Sequence, residues 1–375
     1  MVQFLLPHVR NLSECGYEVE LACSDVGDRL HGVKEKVGKY VSKIHEVRLR
    51  RNPLSPINIK GYRDMKRIMS SAHYDIVWTN EPVMGVVTRL CASKLRRIGT
   101  KVMYMAHGFH FFDGAPLINW LIYYPIEKIM SRYSDVIVTV NSEDYKRAQT
   151  FHSGDVRYIH GIGINTDRLT IGDRQGNVRK ELGISDDAFI ILSVGELNMN
   201  KNQSTVIKAL SHIHDKNIHY LICGKGIMKS NLEALVAKLG LDKNVHFLGY
   251  RMDVVDICSQ SDVYVMPSFR EGLPVSSLEA MYCGLPLLTS NIRGLNDVNK
   301  DGVNGYLYHP RDVKGFSDGI MRLKQNPKTR KNMGLRNKQE VLPYIIENTK
   351  QEVMNIIDEV VKAKIGGETT LCGTI

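Results

Sequence analysis

Short β-rich runs alternate with segments of helical period along almost the whole chain, and this alternation limits the fold more tightly than any single motif. In the first half the runs are YEVELAC (17–23), DIVWT (75–79), KVMYM (101–105), DVIVTV (135–140) and VRYI (156–159), separated by helical patterns near 57–72, 84–97, 116–133 and 142–151. After Leu169 the polar, glycine-containing TIGDRQGN reads as a linker. The alternation then restarts with FIILSV (189–194), HYLIC (219–223), VHFLG (245–249), VYVM (263–266), LPLLT (285–289) and GYLY (305–308), with helices near 202–214, 228–239, 253–259 and 275–283. Strand–helix alternation predicts parallel sheets covered by helices. A chain of 375 residues is too long for one hydrophobic core, so the reading is α/β with two Rossmann-like, doubly wound domains, residues 1–170 and 171–345. A last helix over 346–364 carries Val353, Ile356, Ile357, Val360 and Val361 on one face and can pack back on either domain, the first included. The tail GGETTLCGTI reads as disordered.

The opening is irregular. A doubly wound domain ordinarily begins with a strand feeding a helix, whereas this chain begins in a helical pattern (Phe4, Leu5, Val9, Leu12) that runs to Gly16. The first strand of the N-terminal domain, with the turn after it, is therefore expected to be missing, leaving its neighbours without pairing partners.

Charge is unevenly spread. The net +10 is concentrated in residues 28–67, which hold twelve Lys or Arg against four acids. Such a stretch is either a set of solvated faces or a docking site for an anionic partner: membrane lipid, a lipid-linked diphosphate or nucleic acid. No aromatics interleave with the charges and no reader motif appears, so nucleic acid is not expected. The seven cysteines lack metal-ligand spacing and read as reduced thiols of a cytoplasmic protein. The most apolar segment, GAPLINWLIYYPIEKIM (114–130), contains Asn119 and Glu127 and is too short to span a bilayer. Residues 1–15 lack the basic start and small-residue cleavage site of a signal peptide, so none is expected. The expected location is cytoplasmic, peripheral at the inner face of the membrane.

One stretch carries the chemistry: SFREGLPVSSLEAMYCGLPLLTS, residues 268–290. Read as strand, loop and helix, its loop leaves the carboxyl end of a parallel strand, where open α/β sheets place their ligands. Pro274 suits a helix start and Gly272 permits close approach of a ligand. The first-turn N–H groups then form a phosphate site. Glu271 lies before that site and Glu279 lies beyond it. A carboxylate beside a phosphate needs hydroxyl donors to offset the repulsion, and sugar hydroxyls are the obvious ones. Spacing alone leaves open an ordinary helix start with two surface glutamates, but a nucleotide diphospho-sugar satisfies the whole pattern.

This stretch closely resembles the E-x7-E motif of retaining glycosyltransferases of the GT-B fold, family 4. The similarity extends to SVGELNMNKNQSTVIKAL (193–210), LICGKG (221–226), FLGYRMDV (247–254), SDVYVMPS (261–268) and NGYLY (304–308), and in the first half to AHGFH (106–110) and HGIGINTDRL (160–169). The resemblance points to bacterial transferases that build capsule, exopolysaccharide or lipopolysaccharide chains. The resemblance implies two Rossmann-like domains facing a cleft, with Glu279 on the ribose hydroxyls and Glu271 on the donor sugar near the reacting carbon. The backbone amides of Gly272, Leu273 and Val275 would face sugar and phosphate, and Lys201 would meet the diphosphate. The family's arginine position holds Glu196; Arg270 is the candidate to supply part of the missing charge. The turn Gly249, Tyr250 and Arg251 would read the base, with uracil preferred, so a UDP-sugar is the expected donor. His107 matches a family histidine near the donor, and His110 follows it in the same loop.

The acceptor implied is a glycan or a polyprenyl-diphosphate-linked glycan, with residues 28–67 docking on an anionic membrane. No metal and no cofactor are expected: no D-x-D motif sits at a strand end, and SDD (185–187) precedes a strand. Two other readings stay open, a catalytically impaired sugar-nucleotide-binding protein and a UDP-sugar epimerase. The epimerase needs acid/base pairs that only the two histidines begin to supply. Donor sugar, acceptor and linkage depend on pocket shape.

Overall fold

A computed structural model describes residues 2–25, 31–169 and 177–365. Residues 28–30 of the basic stretch, the linker up to residue 176 and the tail from 366 lie outside the described residues. The chain divides into two compact units, the first from Met1–Gly163 with Ile346–Ile375 and the second from Ile164–Ile345.

The second unit is a six-stranded parallel sheet. Its strands are β7 (Phe189–Val194), β8 (Ile218–Cys223), β9 (Val245–Gly249), β10 (Val263–Met266), β11 (Leu287–Ser290) and β12 (Gly305–Tyr308), numbered after six in the first unit. Their spatial order is β12-β11-β10-β7-β8-β9. The chain winds outward one way from β7 and then outward the other way from β10, so the boundary between these two strands is the topological switch point. Alternate residues feed opposite faces. Ile190 and Leu192 of β7 join Tyr264, Leu278 and Met281 on one side. Ile191 joins Val206, Val265, Phe316 and Ile320 on the other. Ile164 and Leu169 are buried in the first of these clusters, and the Ile164 N–H donates to the Tyr344 carbonyl at 2.9 Å, which ties the start of the unit to its end.

In the first unit, β1 (Glu20–Cys23) and β2 (Lys43–Glu46) form a two-stranded parallel sheet. Strands β3 (Ile76–Thr79), β4 (Lys101–Ala106), β5 (Val136–Thr139) and β6 (Asp155–Tyr158) form a four-stranded parallel sheet in sequence order. Among the described residues no backbone ladder joins the two sheets. They are linked instead by side chains: the Tyr74 hydroxyl donates to the Glu20 carboxylate at 2.6 Å, and Ala22 and Val77 pack on one cluster containing Val47, Met65, Met69 and Val102. The final helix, Ile346–Ile365, packs on the helix Val2–Glu14. It buries Val353, Met354, Ile356 and Ile357, and its Asp358 accepts from the Tyr17 hydroxyl at 2.6 Å.

Candidate active site

Loops after β7 and β10 leave adjacent strands at the switch point, where this topology opens a crevice. The loop after β10 runs to Pro274 and enters the helix Val275–Tyr282. Pro274 is extended (ψ 109°) and its carbonyl accepts from the N–H groups of Ser277 and Leu278, the first hydrogen bonds of the helix. The N–H groups of the first turn have no intrahelical acceptor. Their place is fixed from below, because the Tyr264 hydroxyl of β10 donates to Ser276 Oγ at 2.8 Å.

Asparagines at alternate positions shape the loop after β7. Asn198 Oδ1 accepts from the Lys201 N–H (3.0 Å), Asn200 Nδ2 donates to the Arg270 carbonyl (2.8 Å), and Asn202 Nδ2 donates to the Pro267 carbonyl (2.9 Å). Asn202 stands in the left-handed region (φ 53°), which its short polar side chain tolerates better than most. This stitching lays one loop along the other and sets Lys201 Nζ 2.7 Å from Glu271 Oε1, with the side chains 20% and 11% exposed. Arg270, the neighbouring residue, is exposed.

Arg293, absent from the sequence-based candidates, completes the cluster. It follows β11, and its Nε donates to the Glu271 carbonyl at 3.2 Å. The next residue, Gly294, has φ 78°, and a Cβ there would collide with the Gly272 carbonyl oxygen. The only sequence signal was its place at the carboxyl end of the next strand in the sheet. A similar close pack joins the β7 and β8 loops, where a Cβ on Gly224 would strike the Gly195 carbonyl, and the Gly224 N–H donates to the Gly249 carbonyl at 2.7 Å.

Glu279 lies half-buried in the second turn of the helix Val275–Tyr282. Gly249 is left-handed (φ 67°) and Tyr250 beyond it is 71% exposed. The Arg251 guanidinium is held by Asp253 and Glu181 at 2.6–3.0 Å, which keeps the guanidinium charged and anchors the turn. Glu196 is exposed and accepts from Asn198 Nδ2 at 3.1 Å. The second unit thus brings Lys201, Arg270, Glu271, Gly272 and Arg293 into one cluster of loops.

His107 and His110 belong to the first unit, after β4. His107 Nε2 lies 3.1 Å from Asn80 Oδ1, and burial pushes its pKa down to about 4, so the ring is neutral at pH 7. His110 stacks on Tyr123 with centroids 4.7 Å apart, and its carbonyl accepts from Asn119 Nδ2. Among the described residues no group of three or more His, Cys, Asp or Glu side chains is placed to hold a metal ion. What the second unit offers is a cation and a carboxylate at a helix N-terminus, an arrangement suited to an anion bearing hydroxyl groups.

Known protein families match both halves of the chain. Residues 2–168 match the family described as Glycosyltransferase Family 4, and residues 174–340 match Glycosyl transferases group 1. A putative glycosyltransferase of Bacillus subtilis, EpsD, is 36% identical over 94% of this chain and 92% of its own. A UDP-Gal:alpha-D-GlcNAc-diphosphoundecaprenol alpha-1,3-galactosyltransferase of Escherichia coli is 28% identical over 71% of this chain and 72% of its own. The solved structure of Anabaena Alr3699/HepE in complex with UDP superposes with a TM-score of 0.77 at 16% identity, covering 95% of each chain. A glycosyltransferase from Rickettsia africae superposes at 0.78, also with 16% identity, over 96% of this chain and 94% of its own. Two Rossmann-like units of this kind define the GT-B architecture. The chain belongs to family 4 of the glycosyltransferases.

Proposed function

We infer that this glycosyltransferase moves a sugar, with retention of anomeric configuration, from a UDP-sugar to a glycan or polyprenyl-diphosphate-linked acceptor in the synthesis of a surface polysaccharide. The observation that carries the reading is the Lys201–Glu271 pair at the mouth of the helix Val275–Tyr282. An arriving diphosphate takes the ammonium and the first-turn N–H groups, which releases Glu271 to accept from donor-sugar hydroxyls. Glu279, farther along the helix, accepts from the ribose, and the turn Gly249–Arg251 meets the uracil. As the acceptor oxygen bonds to the anomeric carbon, the bond from that carbon to the diphosphate breaks on the same face. The acceptor's proton passes to the departing phosphate oxygen. Catalysis then rests on positioning and on stabilising the charge of the leaving diphosphate, with Lys201 and Arg270 as the cations near it. The printed names of relatives support the substrate class: one acts on a diphosphoundecaprenol-linked sugar from UDP-Gal, and one from Campylobacter jejuni acts on a diphospho-undecaprenol acceptor.

The test is thermal stability of the purified protein with a panel of UDP- and GDP-sugars, wild type against Glu279→Ala. A ligand that binds only the folded state raises the melting temperature by mass action. One UDP-sugar is expected to stabilise the wild type and not the variant, and to release UDP when a lipid-linked acceptor is added. Failure of every nucleotide sugar to stabilise the wild type overturns the reading. The division of the first unit's strands into two sheets favours a second reading, nucleotide-sugar binding without turnover. Stabilisation without UDP release would select it.

A further inference from the structure

We propose that the helix Leu117–Met130 of the first unit is a docking surface for an anionic lipid bilayer, a proposal that rests on the lipid-linked acceptor inferred above. The helix presents a continuous apolar face to solvent: Leu117, Ile118, Leu121, Ile122, Ile126 and Ile129 are between 41% and 80% exposed. At 100° per residue these positions, with Pro125, span one half of the helix circumference, and the one polar residue among them is a cation, Lys128, half-buried with its ammonium 5.6 Å from the Tyr124 ring centroid. The opposite half is anchored. Trp120 and Tyr124 pack on Phe111, and Glu127, the helix's single acid, is buried with Arg89 at 2.8 Å. The exposed face is therefore apolar with no carboxylate on it, a surface that soluble monomers rarely leave bare.

Charge selects the occupant. Lys94, Arg97 and Arg132 border a shallow cavity beside the helix's C-terminal end, and Arg97 and Arg132 are exposed, as is Ile98 next to Arg97 in the chain. On the far side of the helix Pro82–Ala92, the helix Ile57–Ser71 adds exposed Lys60, Arg63, Lys66 and Arg67, with exposed Ile59 and Tyr62 among them. An apolar stripe flanked by cations fits an anionic interface, where apolar side chains enter the acyl boundary and cations meet phosphates. At 14 residues the helix is about 21 Å long, and no helix among the described residues is long and apolar enough to cross a membrane, so the helix would lie in the interface plane. Its first turns hold the His110 carbonyl through Asn119, so docking would bring the His107–His110 loop to the headgroup level, where a lipid-linked diphosphate sits.

The experiment is sedimentation of the full chain with phosphatidylcholine vesicles and with vesicles containing phosphatidylglycerol, at low and high salt. Wild type is expected to sediment with the anionic vesicles only, and less at high salt. Leu121→Gln/Ile129→Gln is expected to lower that partition at least tenfold with an unchanged melting temperature, since both residues are exposed. Arg97→Gln/Arg132→Gln is expected to lower it and to flatten the salt dependence. No binding of wild type, binding unaffected by the apolar pair, or a dimer that the apolar pair dissociates while vesicle binding persists, each overturns the proposal; the last makes the face a self-interface. The UDP-sugar thermal shift is read on the same samples. Lost vesicle binding with an intact shift rejects the docking face alone, and the converse rejects the donor reading alone.

Discussion

Lys201 and Glu271 are 70 residues apart in the chain and 2.7 Å apart in the fold. Family resemblance marked each of them in the sequence, but nothing local to either marked their pairing, which depends on β7 and β10 being neighbours. Removing the ammonium should leave the fold intact and slow the chemical step. Lys201→Ala is expected to lower kcat by roughly 10²–10³-fold, the effect of losing one donor to developing negative charge, measured as UDP release at saturating donor. Gly294 was not legible, because its constraint comes from the Gly272 carbonyl on another loop. Gly294→Ala combines a left-handed backbone with that collision, so it is expected to cost about 1–3 kcal/mol. Urea unfolding would show the loss, and an unchanged midpoint would refute the tight packing of the two loops.

Helices Pro82–Ala92 and Leu117–Met130 are joined by one buried ion pair, Arg89–Glu127, with the guanidinium 4.1 Å from the Tyr104 ring centroid. Removing one member leaves an uncompensated buried charge. Arg89→Leu should therefore destabilise by about 3–5 kcal/mol, while Arg89→Leu/Glu127→Leu should recover most of that loss. A double variant no more stable than the single one would show that the pair's geometry, rather than its charge, matters. At this scale the apolar-periodic elements were the legible ones: the strands of the second unit and the helices at 116–133 and 346–364 fall close to their expected places. Strand β2, KIHE, has one apolar residue and gave no signal. The helix Pro327–Glu340 is polar almost throughout and buries only Met333, Gly334 and Asn337. It is held partly by Asn337, whose Nδ2 donates to the Leu285 and Asn304 carbonyls, contacts that no periodicity encodes.

Over the whole molecule, histidines set the response to pH. Burial lowers His107 and His246 to about 4, with His219 3.0 Å away adding to the effect at His246, and burial lowers His8 and His219 as well. In the unfolded chain these groups titrate near 6.5. Between that value and about 4 the unfolded state binds more protons than the folded one, so their stabilisation is complete above pH 6.5 and declines as pH falls. The melting temperature should drop from pH 7 to about pH 5.5, above the range where ordinary carboxylates titrate, and His246→Asn should flatten the drop. A flat profile in the wild type would contradict the burial of these rings. The sequence by itself determined the α/β class, the strands with strong apolar period, the spacing of Glu271 and Glu279 and the excess of positive charge, because each is a property of neighbouring residues. Tertiary structure decided that Lys201 meets Glu271, that Arg293 braces the same loop, and that the apolar segment 117–130 turns Trp120 and Tyr124 inward while leaving Leu121 and Ile129 bare. Those outcomes follow from which strands lie side by side and which helix face finds a partner, and both are fixed by contacts between residues distant in the chain.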